Sequence, residues 1–359
     1  MRRSVLSGFQ LFSLFCFSML FGMTLLPSAV GHDITSAWFF AQIITVAVVF
    51  TVMMLFLKTV EACPDGDFRT AAVHLLGKVP SKLLTLSLSI YFLIQAGRLL
   101  LTESNNLMLF LFERTPMWAI VLVFSISCAA VGHSGLKQIA KTSEMLTPMF
   151  ILILAVLFSL LLFRCDWGEV KTLFQPEVRD IPRQVALSMN SFTCVELAFL
   201  AAFDTDKINR RRAMISGFLV CALFLLTAFI ALTGIYTVKA GAQLVFPFTE
   251  LTRSLEFGTI DILERFDVVF LSFRIVVCII FAALACDFSV RCLSGNPEGG
   301  RRSIHFAVYA LLFCLVYLCN KFELLPLLNA VSFWGECAVL LLLIPFCFLL
   351  SRIRREAKK

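Results

Sequence analysis

Charged side chains are scarce in this sequence. Only 15% of the 359 residues are Asp, Glu, Lys or Arg, whereas soluble domains carry about 25%. Hydrophobic residues make up 59% of the chain, and the mean hydropathy is +0.90. No large polar domain interrupts the apolar runs. The composition excludes a soluble fold with a single anchor and predicts an all-α polytopic membrane protein in a lipid bilayer.

The sequence also lacks the signatures of an enzyme. We find no nucleophile–base pairing, metal motif or phosphate-binding loop, and the four histidines are scattered. The 13 cysteines lie singly, mostly within apolar runs, and no Cys-x-x-Cys spacing recurs. We interpret them as small apolar packing residues. No enzymatic activity, cofactor or metal site is therefore expected.

Apolar windows predict ten transmembrane helices. Their approximate bounds are 8–30, 36–57, 83–112, 116–132, 145–163, 184–203, 213–237, 266–288, 303–319 and 331–351. If the N-terminus is inside, about two thirds of the 31 Lys and Arg residues fall in inside segments. Because cytoplasmic loops carry an excess of these residues, both termini are predicted to be cytoplasmic. The basic ends then serve as topology signals and need no nucleic-acid partner.

The first span departs from a good helix in its outer third. Gly22 has no side chain to hold helical dihedral angles, and Pro27 removes a backbone donor. Thr24 places a hydroxyl between them at membrane depth. Transporters build binding sites near the middle of the membrane from such discontinuous helices. The alternative is a proline kink that serves packing alone.

The sixth span carries a cluster of polar residues. Ser188, Asn190, Ser191 and Thr193 can compete for backbone hydrogen bonds and loosen the helix. Glu196 lies deeper, where a carboxylate is costly unless it is paired or protonated. This pattern predicts a ligand-binding or proton-binding role for Glu196. The alternative is a carboxyl group held neutral in a structural hydrogen bond.

Two further spans place ionisable or amide groups in the membrane. Tyr91, Gln95 and Arg98 in the third span step by four and three, so they share a helix face that should point into the protein. Arg98, and Arg274 in the eighth span, are candidate partners for Glu196 or for a ligand carboxylate. Each arginine could instead form a structural ion pair.

The spacing of the two irregular spans predicts an internal symmetry. The first and sixth spans lie five apart in a set of ten, which fits two five-span halves within a single domain, 1–359. The halves would cover about 8–163 and about 184–351, and an odd number of spans inverts the second half. No residue-level repeat is visible, so this prediction rests on the order of the segments.

The segment after the seventh span carries an amphipathic pattern. Leu251, Leu255 and Ile262 recur at near-helical spacing among charged residues. The pattern predicts a short helix over the outer face, which would be either a lid or an ordinary interfacial helix.

Several short motifs along nearly the whole chain resemble a known family. These are Ser7 through Phe12, Gly22 with Leu26-Pro27, Asp33 through Trp38, Glu196-Leu197, Phe246-Pro247 with Glu250-Leu251, Phe257-Gly258, and Leu263 through Asp267. In order and spacing they resemble the B-subunits of spore germination receptors, which are endospore germination permeases of the amino acid–polyamine–organocation superfamily.

The resemblance implies a fold and a function. The fold would be of the leucine-transporter type, a 5+5 inverted repeat with discontinuous first and sixth helices. The protein would be an inner-membrane subunit of a spore nutrient germinant receptor, with A-type and lipoprotein C-type subunits as partners and a small germinant, such as an amino acid, as ligand. The ligand region of the family corresponds here to Gly22, Thr24, Leu25, Ser191, Phe192 and Glu196. With the polar groups noted above, the predicted ligand-binding set also includes Gln95, Arg98, Ser188 and Asn190.

One departure from the family pattern concerns the sixth span. The family has a proline and a glycine just before the glutamate, and this chain has Thr193 and Val195 there. The argument for a sharp break in this helix is weaker as a result. Two other functions stay open at this point: a proton-coupled amino-acid transporter that uses Glu196, and a conduit for ions or small molecules.

Overall fold

The structure is a computed structural model that describes residues 6–24, 35–63, 68–175, 178–192, 195–244, 246–255, 266–294 and 302–356. These ranges are nearly all helical and contain no strand; one isolated parallel bridge joins Leu6 and Thr205. The α-helices are α1 (Gly8–Thr24), α2 (Trp38–Ala62), α3 (Phe68–Leu76), α4 (Lys78–Phe110), α5 (Met117–Gly132), α6 (Gly135–Arg164), α7 (Trp167–Val170), α8 (Ile181–Ser188), α9 (Val195–Ala201), α10 (Lys207–Gln243), α11 (Pro247–Arg253), α12 (Phe266–Ser294), α13 (Arg302–Lys321), α14 (Leu325–Cys337) and α15 (Ile344–Glu356). The prediction of an all-α protein is confirmed.

The predicted spans correspond to helices. Within the described residues, seven helices are long and apolar enough to cross a membrane, and the bent pair Val178–Phe192 and Val195–Asp204 makes an eighth. Two shorter apolar helices, Gly8–Ser18 and Met117–Gly132, fall in the first and fourth predicted windows. Every predicted window thus contains an apolar helix, and the chain is a multi-pass membrane protein. The division into halves at about 8–163 and 184–351 stays a prediction.

Helices α4 and α12 form the most buried pair of the bundle. About two thirds of the apolar window of α4 and 61% of that of α12 are buried inside the protein. Ser89 and Ser289 meet at their interface with 2.8 Å between the hydroxyl oxygens, and each hydroxyl also donates to the other residue's carbonyl. Small hydroxylated residues let two membrane helices approach closely.

The last span changes its geometry at its middle. Helix α14 passes into a π-helical segment, Ala338–Leu343, before α15 begins. The wider turn shifts the register of the side chains that follow it, and π-helical segments occur mainly at functional sites.

Helix α11 is the short helix predicted after the seventh span, and it is packed inside the protein. Its residues Pro247, Phe248, Thr249, Leu251 and Thr252 are buried. The interfacial alternative therefore does not hold for this helix. The predicted residue Ile262 lies outside the described residues. All twelve cysteines in the described ranges are free and seven of them are buried, in agreement with their interpretation as packing residues.

Candidate functional site

The sixth span is broken next to its polar cluster. Helix α8 ends at Ser188 and tightens into a 3₁₀ turn, Met189–Phe192, and α9 begins at Val195. The segments on the two sides of the break are bent by 52°. The predicted discontinuity of the sixth helix is confirmed, although the chain has neither proline nor glycine at the break. Thr193 lies outside the described residues.

The first span packs against this break. Helix α1 contacts both the 3₁₀ turn and α9. Gly22 and Thr24 lie in the last turn of α1. Leu25 and Pro27 lie outside the described residues. That Gly22, Thr24 and Leu25 contribute to a ligand site stays a prediction.

The side chains of the polar cluster face the protein interior. Ser188, Asn190 and Ser191 are all buried. The Ser191 hydroxyl donates to Gln42 Oε1 of α2 at 3.1 Å. The Phe192 ring stacks on a ring of α10, with the two centroids 6.3 Å apart. These contacts hold the broken segment between α2 and α10.

Glu196 is the ionisable group of the broken span, and its side chain is buried with 2% exposure. Tyr91 Oη of α4 donates to Glu196 Oε1 at 2.8 Å, and Gln95 Nε2 donates to Tyr91 Oη at 2.6 Å. The predicted shared face of α4 thus points at the sixth span. Because these groups are buried away from water, losing either hydrogen bond would leave a polar group without a partner, which is costly.

The same network continues from α4 to α14. Ser332 Oγ donates to Gln95 Oε1 at 2.6 Å, and Arg98 Nη1 donates to Ser332 Oγ. Arg98 also exerts an electrostatic attraction on Glu196. We refer to Arg98, Ser332, Gln95, Tyr91 and Glu196 as the polar relay. It joins the third, sixth and tenth spans.

Two buried polar residues of the tenth span were not among the predicted site residues. Ser332 and Glu336 lie one helical turn apart in α14, and both are fully buried. Both residues fall within the predicted tenth span, 331–351. The sequence could therefore have identified Glu336 as a candidate, because ionisable residues inside a membrane span are functional candidates.

Arg274 has a different partner from the one considered in the sequence. Its Nη2 lies 2.6 Å from Glu103 Oε2, and both side chains are buried. Its Nη1 donates to Thr249 Oγ1 of α11 at 2.9 Å. Turning the Asn106 amide lets its oxygen accept from both Arg274 nitrogens at 3.2–3.3 Å. Arg274 therefore belongs to a structural cluster that ties α4, α11 and α12, and Glu196 is bound by Tyr91.

A further ionic cluster lies at the C-terminal end of α12. Arg291 Nε is 2.7 Å from Asp287 Oδ2, and Arg291 Nη1 is 3.3 Å from Asp204 Oδ2. The Leu6 amide donates to the Asp204 carbonyl at 2.8 Å. These contacts fasten the end of the sixth span to α12 and to the residue that precedes α1.

The arrangement is suited to binding a cation or a proton. A buried carboxylate with a tyrosine donor can accept a cation or a proton. Within the described ranges no group of three or more His, Cys, Asp or Glu side chains is placed to hold a metal ion.

Comparison with known proteins agrees with the resemblance in the sequence. The family described as "Spore germination protein" matches residues 5–321. Spore germination protein YndE of Bacillus subtilis is 28% identical over 239 residues, which cover 66% of this chain and 64% of that protein. Spore germination protein A2 of the same organism is 26% identical over 206 residues, which cover 57% of this chain and 55% of that protein. The match thus spans less than two thirds of the length of either relative.

The fold has a counterpart among solved structures. A mutant of the manganese transporter of Eremococcus coleocola superposes with a TM-score of 0.62 at 11% identity, covering 96% of this chain and 78% of that chain. At this identity the likeness concerns the fold alone. It confirms the predicted leucine-transporter-type fold.

Proposed function

The chain belongs to the spore germination protein family, a family of permease-type membrane proteins, and from this premise we propose that it is a permease-like subunit of a nutrient germinant receptor. In this proposal it lies in the spore inner membrane with both termini in the cytoplasm. It binds a small germinant, such as an amino acid, and acts with A-type and lipoprotein C-type subunits.

One observation carries the proposed ligand site. Glu196 is a buried carboxylate at the break of the sixth span, which α1 also contacts, and its described hydrogen bond comes from Tyr91. A broken helix pair beside a buried ionisable group is the arrangement with which transporters bind small solutes. We assign Gly22, Thr24, Leu25, Ser188, Asn190, Ser191 and Phe192 to the same site as proposed ligand-binding residues, with Gln95 and Arg98 in support.

Signalling in this proposal is a shift between two conformations. A ligand shifts such an equilibrium only by its difference in affinity for the two states. The ion pair of Arg274 with Glu103 fastens the first third of α12, and that of Arg291 with Asp204 fastens its C-terminal end. We propose that the break in the sixth span moves relative to α12 when the germinant binds.

The first experiment is germination of spores that lack this chain, across a panel of amino acids, sugars and nucleosides. We expect the response to one nutrient class to be lost while other germinants still work. Unchanged germination by every member of the panel, in a strain without related receptors, would contradict the proposal.

Variants then test the site. Glu196→Gln keeps the shape of the side chain and removes its charge, so we expect a weakened germinant response in protein that still folds. Gly22→Leu adds bulk at the end of α1 and should block binding sterically. A normal dose–response from well-expressed Glu196→Gln, or unchanged affinity in Gly22→Leu, would remove that residue from the site.

The alternative is a proton-coupled amino-acid transporter, which the transporter-like fold favours. Receptor and transporter would use the same site, so its geometry does not separate them. Uptake of labelled amino acid into proteoliposomes driven by a proton gradient is expected for the transporter and not for the receptor.

A further inference from the structure

An open groove of about 380 Å³ lies between the beginnings of α1 and α10. It is lined by Gly8, Phe9 and Phe12 of α1 and by Asn209, Arg212, Ala213 and Ser216 of α10. The lining contains one positively charged side chain and no acidic one. None of these residues belongs to the polar relay or to the proposed ligand-binding set, so the groove is a separate feature of the molecule.

The groove lies at the end of the apolar part of both helices. The apolar segment of α1 begins at Gly8, and the part of α10 that is long and apolar enough to cross a membrane begins at Asn209. The two helices are close together here, because a Cβ atom at Gly8 would lie 2.7 Å from Asn209 Cβ. Residues at this depth lie beside lipid head groups, and residues further along the span lie beside acyl chains.

Three polar side chains of the groove can donate hydrogen bonds to an anion. Asn209, Arg212 and Ser216 follow the spacing i, i+3 and i+7, so they share one face of α10. Arg212 is exposed and forms no ion pair or hydrogen bond with any residue in the described ranges. A guanidinium group with its donors unused is well suited to a phosphate, because it can donate two parallel charge-assisted hydrogen bonds.

An exposed apolar surface continues from the groove along the span. Leu219 and Leu223 lie seven and eleven residues after Arg212 on the same face of α10, and both are exposed, by 58% and 65%. We refer to these two leucines as the apolar stripe. On the α1 side, the rings of Phe9 and Phe12 stack with 5.7 Å between their centroids. A ligand that makes all these contacts has an anionic end and a long apolar body.

We propose that this groove binds an anionic phospholipid, with the phosphate of its head group at Arg212 and an acyl chain along the apolar stripe. A free phosphate would gain nothing from the apolar stripe. A zwitterionic head group would bring an ammonium group to a lining that has no acidic side chain to receive it. The inference does not depend on the proposed function, because it concerns a different face of the protein.

The first test measures lipid binding to the purified full chain by native mass spectrometry in detergent. The probes are phosphatidylglycerol and phosphatidylcholine with identical oleoyl chains. One molecule of phosphatidylglycerol should bind about tenfold or more tightly than phosphatidylcholine, because only its net charge is complementary to the groove. Glycerol 1-phosphate, which has the phosphate without the chains, should not compete even at about a hundredfold excess over the lipid.

Two adjacent arginines distinguish a bound phosphate from general surface charge. Arg212→Gln should weaken phosphatidylglycerol binding about tenfold and leave phosphatidylcholine within about twofold. Arg211 is also exposed but does not line the groove. The matched control, Arg211→Gln, should therefore change the affinity for either lipid by no more than about twofold. Because both side chains are exposed, both variants should fold.

Two exposed serines test the shape of the groove. Ser216 lines the groove on α10, and Ser159 is exposed on α6 away from it. Ser216→Trp should fill part of the groove and weaken phosphatidylglycerol binding on the order of fivefold, because the indole is far larger than a hydroxymethyl group. Ser159→Trp adds the same ring elsewhere and should have little effect.

Three results would overturn the inference: equal affinity for the two phospholipids, equal loss of phosphatidylglycerol binding in Arg212→Gln and Arg211→Gln, or full competition by glycerol 1-phosphate. The last would identify a site for a free anion and not for a lipid. The proposed germinant function would stand in each case, because no variant used here alters the proposed ligand-binding set.

Discussion

Arg98 and Arg274 are both buried within membrane helices, and their described contacts differ in kind. Arg274 of α12 is held directly by Glu103 of α4, with 2.6 Å between nitrogen and oxygen. Arg98 of α4 donates to the Ser332 hydroxyl, and hydrogen bonds through Gln95 and Tyr91 lead on to the carboxylate of Glu196. The first cluster is a direct ion pair, whereas the second contains a chain of neutral hydrogen-bonding groups that leads from Arg98 to Glu196.

The difference distinguishes a structural cluster from the one that we propose to bind a ligand. In the direct pair each charge is already compensated by the other, so neither gains much free energy by binding a ligand. In the polar relay the Glu196 carboxylate accepts its described hydrogen bond from a neutral hydroxyl, which compensates a buried charge less completely than an opposite charge does. A ligand near Glu196 can therefore gain energy that a ligand near Glu103 cannot.

Breaking the direct pair should give the largest loss of stability. Glu103→Gln leaves the Arg274 charge buried without an opposite charge, so we expect the free energy of unfolding to fall by about 3–5 kcal/mol. This loss can be measured by unfolding the purified protein in detergent with heat or denaturant.

The control for this prediction removes both charges. The double variant Glu103→Leu, Arg274→Met should recover most of the loss, because no uncompensated charge remains. Glu144, which accepts a 2.9 Å hydrogen bond from Gln10 in a half-buried position, provides a second control: Glu144→Gln should cost less than about 1 kcal/mol. Equal destabilisation by the single and double variants would mean that the pair does not act through charge.

Displacing Tyr91 should have an intermediate effect. A Cβ atom at Gly335 of α14 would lie 2.5 Å from Tyr91 Cε2 and 2.7 Å from its Cδ2, so Gly335→Ala must displace the ring whose hydroxyl donates to Glu196. We expect a loss of about 1–3 kcal/mol in stability, as for other overpacked cores, together with a weaker germinant response.

Gly97→Ala is the matched control for the displacement of Tyr91. Its Cβ would meet Leu315 Cδ2 at 2.3 Å, which is the end of a flexible side chain that can turn aside. A smaller loss is therefore expected, with a normal response. If Gly97→Ala and Gly335→Ala reduce the response equally, the position of Tyr91 is not what matters.

The fold could be predicted largely from the sequence because a bilayer restricts the possibilities so strongly. Apolar runs long enough to span must be helical, and polar residues on one face of a span must turn inward. The spacing of Tyr91, Gln95 and Arg98 therefore predicted a buried face of α4, which is confirmed.

The partners within the site were harder to predict, because helical spacing does not say which helix packs on a given face. Glu103 lies five residues after Arg98, about 140° further round the helix, so the two point to different neighbours. That α12 covers the Glu103 face and α14 the Arg98 face follows from long-range packing. Ser332 could be recognised as a polar group in a span, but not as the donor to Gln95.

The smallest predicted effect concerns cooperation within the polar relay. Tyr91→Phe and Ser332→Ala each remove one hydroxyl and should each cost about 1 kcal/mol of the free energy of unfolding. Because Gln95 bonds to both hydroxyls, the two losses should not add: the double variant should differ from their sum by about 0.5 kcal/mol or more.

The same cycle with a distant serine shows whether that coupling is specific. The buried Ser143 hydroxyl of α6 donates to the Ile139 carbonyl and shares no partner with Tyr91. Tyr91→Phe and Ser143→Ala should therefore add within about 0.5 kcal/mol. Additivity in both cycles would mean that Tyr91 and Ser332 act independently. The Arg98 charge would then act on the Glu196 carboxylate only through space. The direct pair and the polar relay would then differ only in the distance between their charged groups.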